Sequence, residues 1–461
     1  VVSAVPERCH SGWAELAARL VWRWVNVSCS TASYLEISEQ EYRARVSVRF
    51  HNSMIECIEA DQLIPGRGEP VANAVVVLED ATIRYAGPAE HAPKVAEARR
   101  SRAHTVLPGL WDSHVHFMGL RSADVGILPQ EPVALRAART VADLRAALDA
   151  GFTSVREVGG LGLDLARAVE EGTAVGPSVY AAGCALSTTG GHGDLHSYPL
   201  AWMEEFARHG GELRLADGEA ECVRAVREQL RRNAKVIKVY ASGGVLSEVD
   251  HPIHRQFTDR ELRAIVEVAG LADRVVAAHC HGKPGMMAAI EAGVRTIEHG
   301  TYLDEEVAAA MRETGAILVT TRTIMQELID SRALPPYALR KLESIVDRHA
   351  EAIVIARESG VRIAAGTDVA LTGAELPDSW GRNGRELPLL AEIGFSPLEV
   401  IEAATAAAPA TLGPQAPRSG QLVEGYDADV ITLDADPLAD IGVLAKPAHI
   451  TGVWKAGCRV A

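Results

Sequence analysis

The sequence predicts an α/β chain: a (β/α)8 TIM barrel with a small composite β-sandwich domain contributed by its N- and C-terminal flanks. Three observations lead there. Between residues 106 and 408, apolar runs of strand length alternate with helical patterns. Glycines close many of the helical stretches, at Gly151, Gly172, Gly293, Gly315 and Gly360, where a left-handed residue commonly ends a helix. Residues 54–105 and 409–461 read instead as short strands and turns, with no βα repeat. A doubly wound open sheet is the alternative, but its usual Gly-rich phosphate loop is absent.

Residues 1–53 fit this scheme poorly. Trp13–Trp24 has the pattern of a short amphipathic helix and Tyr42–Phe50 that of a strand. The segment reads either as an upstream extension or as an added element. Ile55–Ala60, Ala74–Leu78 and Ile83–Pro88 then form strands, with turns at Pro65–Gly68 and Glu79–Asp80.

The expected barrel strands are Thr105–Leu107, Phe152–Glu157, Ser178–Ala182, Val236–Tyr240, Val275–Cys280, Thr296–His299, Ala316–Thr320 and Arg362–Ala365. Helices are expected at Val133–Ala150, Leu163–Glu171, Gly218–Arg231, Thr258–Ala272, Pro284–Ala292, Asp304–Thr314 and Pro336–Ser359. Eight such units are the number that closes a barrel. Past Ala408, a strand ending at Leu433 and a hairpin of Ile450–Lys455 with Gly457–Val460 return to the texture of the first flank.

Composition excludes several classes. The 461 residues are 48% hydrophobic and 23% charged, ordinary for a globular chain. A net charge of −15 argues against a nucleic-acid surface. The seven cysteines are scattered without a Cys-x-x-Cys, which fits a reducing cytoplasm better than a disulfide framework. No apolar window is long enough to span a membrane. The N-terminal residues lack a signal-peptide layout, the apolar Leu20–Val25 being short and interrupted by Arg23. The expected partner is therefore a small-molecule substrate, not nucleic acid or a membrane, and the expected assembly a homo-oligomer in the cytoplasm.

Catalytic groups of such barrels stand at the C-terminal ends of strands. There the sequence places His114-x-His116 after the first strand, Lys238 on the fourth, His279 and His281 on the fifth, His299 on the sixth and Asp368 after the eighth. Each alone has an ordinary explanation: a polar core histidine, a snorkelling lysine, a turn aspartate. Coincidence at one rim is what turns them into a candidate metal site.

With these residues in place, the chain resembles the amidohydrolase superfamily over residues 55–461. The resemblance includes the phrases Val106–His116, Ile297–Thr301 and Gly425–Val430. It implies that His114, His116 and Asp368 hold one divalent metal and His279 and His299 a second. Lys238 bridges the two as an Nζ-carbamate, and the ions, zinc foremost with Mn, Co or Fe as alternatives, share a hydroxide. Asp368 is then the general base and acid that moves a proton from this nucleophile to the leaving amine. An unmodified Lys238 leaves a one-metal site.

Two features narrow the branch. Nucleobase deaminases of the superfamily carry His-x-x-Glu after the fifth strand; here Gly282 and Pro284 stand at those spacings. The loops Ser187–Asp194 and Lys238–Gly244 are similar to those of a subgroup containing prolidase-like and Xaa-Arg or Xaa-Lys dipeptidases and ochratoxin-type amidases. By that resemblance Tyr240 and His192 meet the α-carboxylate or scissile carbonyl of a substrate, and His281 and Arg322 are further candidates; Arg156 is a possible carboxylate partner or a structural one. The expectation is a hydrolase of small N-acyl amino acids or dipeptides. Alternatives are a xenobiotic amide, carbamate, urea or cyclic amide (imidazolonepropionase-like), and, more distantly, a non-catalytic barrel. Segments 119–132, 183–215, 245–257 and 369–386 are expected to shape the substrate pocket.

Overall fold

The computed structural model describes residues 55–461 except 333, 374 and 375. The helix expected at Trp13–Trp24 and the strand at Tyr42–Phe50 lie outside the described residues.

The first flank supplies β1 (Ile55–Leu63), β2 (Val71–Glu79), β3 (Thr82–Pro88) and β4 (Arg99–Pro108). The barrel contains β5 (Leu110–Leu120), β6 (Phe152–Glu157), β7 (Ser178–Ala181), β8 (Ala185–Ser187), β9 (Leu213–Leu215), β10 (Val236–Tyr240), β11 (Val275–Cys280), β12 (Thr296–His299), β13 (Ile317–Val319), β14 (Arg362–Ala364) and β15 (Val369–Leu371). The second flank adds β16 (Val430–Leu433), β17 (Ile450–Lys455) and β18 (Cys458–Arg459).

Both flanks build one sheet, in the order β18-β17-β16-β4-β1-β2-β3. Strand alternation gives it two apolar faces. Ile58, Val76, Leu78, Val106, Val430 and Trp454 pack together on one, and Cys57, Val75, Val77 and Val95 on the other.

The junction with the barrel corrects the expected first strand. Thr105–Leu107 belongs to the flank sheet: Thr105 pairs with Gln62 of β1, and Leu107 with Ile431 of β16. The barrel begins at Leu110, past Gly109, where a Cβ would lie 2.1 Å from Thr153 Oγ1. His114 and His116 are thus inside the first barrel strand rather than beyond its end.

Parallel pairing runs β5-β6-β7 and β8-β10-β11-β12-β13-β14. The third barrel strand is split: β7 pairs with β6, and β8 with β10. The eighth is split too, and its second half closes the ring through Val369 opposite Val115 of β5. Ser113 N to Ala365 O at 2.9 Å and Asp368 N to His114 O at 2.7 Å complete that seam.

The helices are α1 (Val133–Asp149), α2 (Gly162–Glu170), α3 (Leu200–Arg208), α4 (Glu219–Arg231), α5 (Asp259–Gly270), α6 (Lys283–Ala292), α7 (Glu305–Thr314), α8 (Arg322–Ser331), α9 (Pro336–Glu343), α10 (Val346–Glu358), α11 (Glu386–Glu392) and α12 (Pro397–Ala403). Local chemistry sets their ends. Thr258 and Glu261 form a capping box at the start of α5, and left-handed Gly293 and Gly315 end α6 and α7. The single helix expected over Pro336–Ser359 is two, α9 and α10, because Ile345 leaves helical geometry at φ −121°. Among the described residues no helix is long and apolar enough to cross a membrane.

Phe117 of β5 stacks on Trp380 with ring centroids 4.0 Å apart, and the Trp380 indole donates to His116 O at 3.2 Å. This pair backs the strand that carries both histidines. Phe117→Ala should cost about 3–5 kcal/mol in urea-unfolding free energy; a loss below about 1 kcal/mol would mean that the pocket behind β5 collapses freely.

Candidate active site

Register places the polar side chains together. Lys238 lies opposite Ala277, Tyr240 opposite His279, and His279 opposite Glu298. Lys238, Tyr240, His279 and Glu298 therefore follow one face of neighbouring strands, the barrel interior. His114 and His299 have ring centroids 5.0 Å apart, His279 and His299 4.6 Å, and His114 and His116 5.3 Å. Asp368 Oδ1 lies 3.0 Å from His116 Nε2 and 3.4 Å from His114 Nε2. Ligand atoms of His114, His299 and Asp368 fall within 4.8 Å of one another. All six expected ligands, with Lys238 and His279 completing the set, line a single cavity of about 220 Å³.

The histidines fit a metal site in their proton positions as well. Each has one nitrogen engaged by a neighbour, and where that neighbour is a carbonyl or carboxylate oxygen the other nitrogen bears the lone pair. His116 Nδ1 donates to Gly159 O at 2.6 Å, leaving Nε2. His114 Nδ1 meets Glu298 Oε2 at 2.7 Å, again leaving Nε2. His299 Nδ1 is held by Thr321 Oγ1 at 2.7 Å. His279 is reversed: its Nε2 donates to Gly243 O at 3.2 Å, so Nδ1 is left. Burial lowers His114 to about 4 and takes His279 and His299 well below the usual imidazole range, which keeps these rings neutral. Burial also brings the Lys238 amine down to about 8, despite the opposing pull of Glu298 and Asp368.

The groups that fix the ligands carry no motif of their own. Arg156 is fully buried. It grips both oxygens of Glu298 at 2.8 and 2.7 Å and also donates to Thr296 Oγ1 and Ser113 O. Of the two roles open to Arg156, the structure shows the structural one: its carboxylate is Glu298 of the same barrel. Asp112 accepts from His114 N, Thr367 N, Thr367 Oγ1 and Asn383 Nδ2, tying the first strand to the Gly366–Asp368 turn. Burial nonetheless pushes its carboxyl up to about 7. Glu386 takes four donors from Thr320, Arg322 and Thr323, and so holds the loop that presents Thr321 to His299. A Cβ at Gly366 would lie 2.8 Å from that of His114, so the turn can pass only without a side chain.

Three of the four expected substrate residues reach the cavity: Tyr240, His192 and His281. His192 stacks on His279 at 4.5 Å and meets the Tyr240 ring edge-on at 5.0 Å. His281 is anchored through Nδ1 to Thr301 Oγ1 at 2.7 Å. Arg322 does not reach it. It opens α8, and its guanidinium turns away to donate to Val346 O at 3.3 Å. All four expected loop segments contribute lining residues, among them Leu128, Leu195, Val245 and Leu371. A fifth wall had no signal in the sequence: Ile324, Met325 and Leu328 of α8 with Tyr337 and Leu342 of α9. Asp378, also missed, is a buried carboxyl on the lining, pushed well up by burial and by Asp368.

A (β/α)8 barrel with four imidazoles, a depressed amine and a carboxylate converging at one cavity defines a metal-dependent hydrolase. Residues 105–460 match the Amidohydrolase family, and the chain belongs to it. It is 43% identical over 423 residues to ochratoxinase of Aspergillus niger, spanning 87% of this chain and 86% of that one. The crystal structure of A. niger ochratoxinase superposes with a TM-score of 0.82 at 41% identity, covering 88% of this chain and 96% of that chain. A prolidase crystallised with N-methylphosphonate-L-proline superposes with a TM-score of 0.81 at 33% identity, covering 88% and 99%. The chain is a hydrolase acting on amide bonds.

Removing Arg156 leaves Glu298 charged and buried without its main partner. Arg156→Met should lower unfolding free energy by about 3–5 kcal/mol and reduce metal occupancy, measured by urea titration and elemental analysis; unchanged stability would show that water replaces the guanidinium. A second outcome concerns acid. His349 of α10 is fully buried with Nε2 on Thr320 O at 2.8 Å, and burial, with Arg322 nearby, lowers it to about 3. In the unfolded chain a histidine takes its proton near pH 6.5. Between about pH 6.5 and 3 the unfolded state therefore binds more protons, and stability falls as pH falls. His349→Gln should flatten that fall in the urea midpoint; parallel curves for variant and parent would contradict it.

Proposed function

We propose that this chain hydrolyses the C–N amide bond of small N-acyl amino acids or dipeptides, using two divalent metal ions and a carbamate on Lys238. The observation that carries the reading is Lys238 itself: a buried amine, lowered to about 8, on the cavity floor among His279, His299 and Asp368. An amine so depressed has a substantial neutral fraction near neutrality. Its lone pair can add to the carbon of CO2 with loss of one proton, giving an anionic oxygen donor where a cationic ammonium would repel metal. His114, His116 and Asp368 would hold one ion, His279 and His299 the other, and the carbamate both; Zn2+ is the first choice, with Mn2+, Co2+ or Fe2+ compatible with the same donors. Bound there, the ions would supply a water of lowered pKa and polarise the substrate carbonyl.

The chain's own residues do the rest. Sharing a cation with His114 and His116, whose Nε2 atoms lie 3.4 and 3.0 Å from its Oδ1, the Asp368 carboxyl would be ionised and placed to accept the proton of the attacking water. The same carboxyl returns that proton to the leaving amine. Burial pushes the Tyr240 phenol upward, so it stays protonated and can donate to the scissile carbonyl or the α-carboxylate. His192 beside it serves the same end of the substrate. Apolar walls above this polar floor favour an apolar acyl group or side chain and exclude water. The likeness to the prolidase crystallised with N-methylphosphonate-L-proline supports an amide whose amine half is an amino acid. Cysteines that are all unpaired among the described residues accord with a cytoplasmic setting.

The test is a turnover screen of metal-loaded protein over N-acyl amino acids, dipeptides, carbamates and lactams. Hydrolysis confined to carbamates or lactams would replace the proposed substrate class. Asp368→Asn should retain metal yet lose about 10²–10⁴-fold in kcat; near-normal turnover would remove Asp368 from the proton path.

A further inference from the structure

The loop after β10 is built around a cation that comes from elsewhere in the chain. Lys341, on α9, sends its ammonium into the 244–250 segment. There it meets Gly244 O at 3.2 Å, Ser247 O at 2.7 Å, Asp250 O at 2.6 Å and Asp250 Oδ1 at 3.3 Å. Four oxygens converging on one point form a cage that an ammonium suits and that would repel itself if empty. Four residues earlier on the same helix, and so on the same face, Tyr337 donates to Leu246 O at 3.0 Å. Val245 of the loop packs into the apolar cluster of Met325, Leu328, Ala338 and Leu342. The loop of the fourth barrel strand is thus fastened to the helices of the seventh, over the cavity.

The fastened loop in turn holds a cavity residue. Ser247 Oγ meets His192 Nδ1 at 2.8 Å and donates to Asp250. Asp250 also accepts from Gly244 N and from Gln256 Nε2, each at 3.0 Å, and Gln256 Oε1 accepts from His192 N at 3.1 Å. The backbone at Gly244 presses on the His192 ring so closely that a Cβ there would lie 2.1 Å from Cε1. A snorkelling lysine would point its head to water; this one turns inward, its side chain 16% exposed, and spends its donors on one loop.

We propose that Lys341 is a positioning residue for the reaction: by filling the oxygen cage of the 244–250 loop it sets Ser247 and Asp250, and through them His192, against Tyr240 and His279. The inference rests on the reading that the amide is cleaved in this cavity with His192 facing the substrate. It assigns Lys341 no contact with substrate or metal.

Lys341→Met, His192→Ala and the double variant test it in the metal-loaded full chain. Metal content should match the parent. Backbone hydrogen exchange in 244–250 should accelerate in Lys341→Met, a readout that needs no substrate. Its kcat/KM should fall about 10- to 100-fold, the scale for misplacing a group by about an ångström. Because the effect passes through His192, the double variant should be no slower than His192→Ala alone. Losses that multiply would mean that Lys341 acts on general stability and would overturn the proposal, as would unchanged exchange in the loop. Should Lys341→Met fail to fold, Ser247→Ala cuts the same link nearer the cavity and must show the same non-additivity with His192→Ala. A parent chain inactive on every amide, with the exchange result intact, would count against the proposed reaction and leave the loop's dependence on Lys341 standing.

Discussion

The site depends first on one buried carboxylate. Glu298 sits in the barrel interior between the Arg156 guanidinium and the His114 imidazole, joining strands β6, β12 and β5. Removing a carboxylate from water costs several kcal/mol unless it is fully paired. Here burial alone would raise it, but Arg156, then His114, bring it far below its ordinary range. The resulting fixed negative charge decides which nitrogen of His114 carries the proton and which faces the cavity. Everything that His114 then touches (Asp368, His299 and any ion between them) inherits its position from that pairing. A barrel interior usually filled by branched apolar side chains has been given an ion pair whose benefit is orientation.

The sequence exposed those parts of the site that are chemically conspicuous and hid those that are merely necessary. His114, His116, Lys238, His279, His299 and Asp368 could be found because strand alternation and position at strand ends are local properties, and metal-binding side chains are few. The parts that aim them, Glu298, Asp112, Thr321 and Glu386, are ordinary residues whose function exists only across strands. Arg156 shows the limit well: it is visible as a buried-strand arginine, yet its partner lies 142 positions away. Arg322 fails for the opposite reason. Its place just beyond the seventh strand is legible in the sequence, but side-chain direction at a helix start is set by packing, and Val346 claims it. The first barrel strand was displaced because Thr105–Leu107 and Leu110–His116 have the same β texture, and only long-range pairing tells which sheet each joins. The wall from α8 and α9 was invisible because apolar residues on a helix look alike whether they face a core or a cavity.

Backbone geometry explains how side chains that alternation would separate come to share one space. Glu298 and His299 are consecutive in β12 and should face opposite sides. Both nevertheless meet His114, because His299 leaves the strand at φ +70°. Asp368 does the same at φ +66°, where the chain turns between the two halves of the eighth strand. Thr321, which supports His299 from the seventh, is left-handed at φ +57°. Such conformations cost about 1–3 kcal/mol each for residues with a Cβ, and they persist only where the surroundings over-determine them. The surroundings here are identifiable: Asp112 grips Thr367 beside Asp368, and Glu386 grips the residues on both sides of Thr321. The strain and the buried carboxylates are therefore two halves of one construction. The carboxylates hold the turns, the turns deliver the candidate ligands, and these side chains have little freedom left to lose if a cation or a substrate enters.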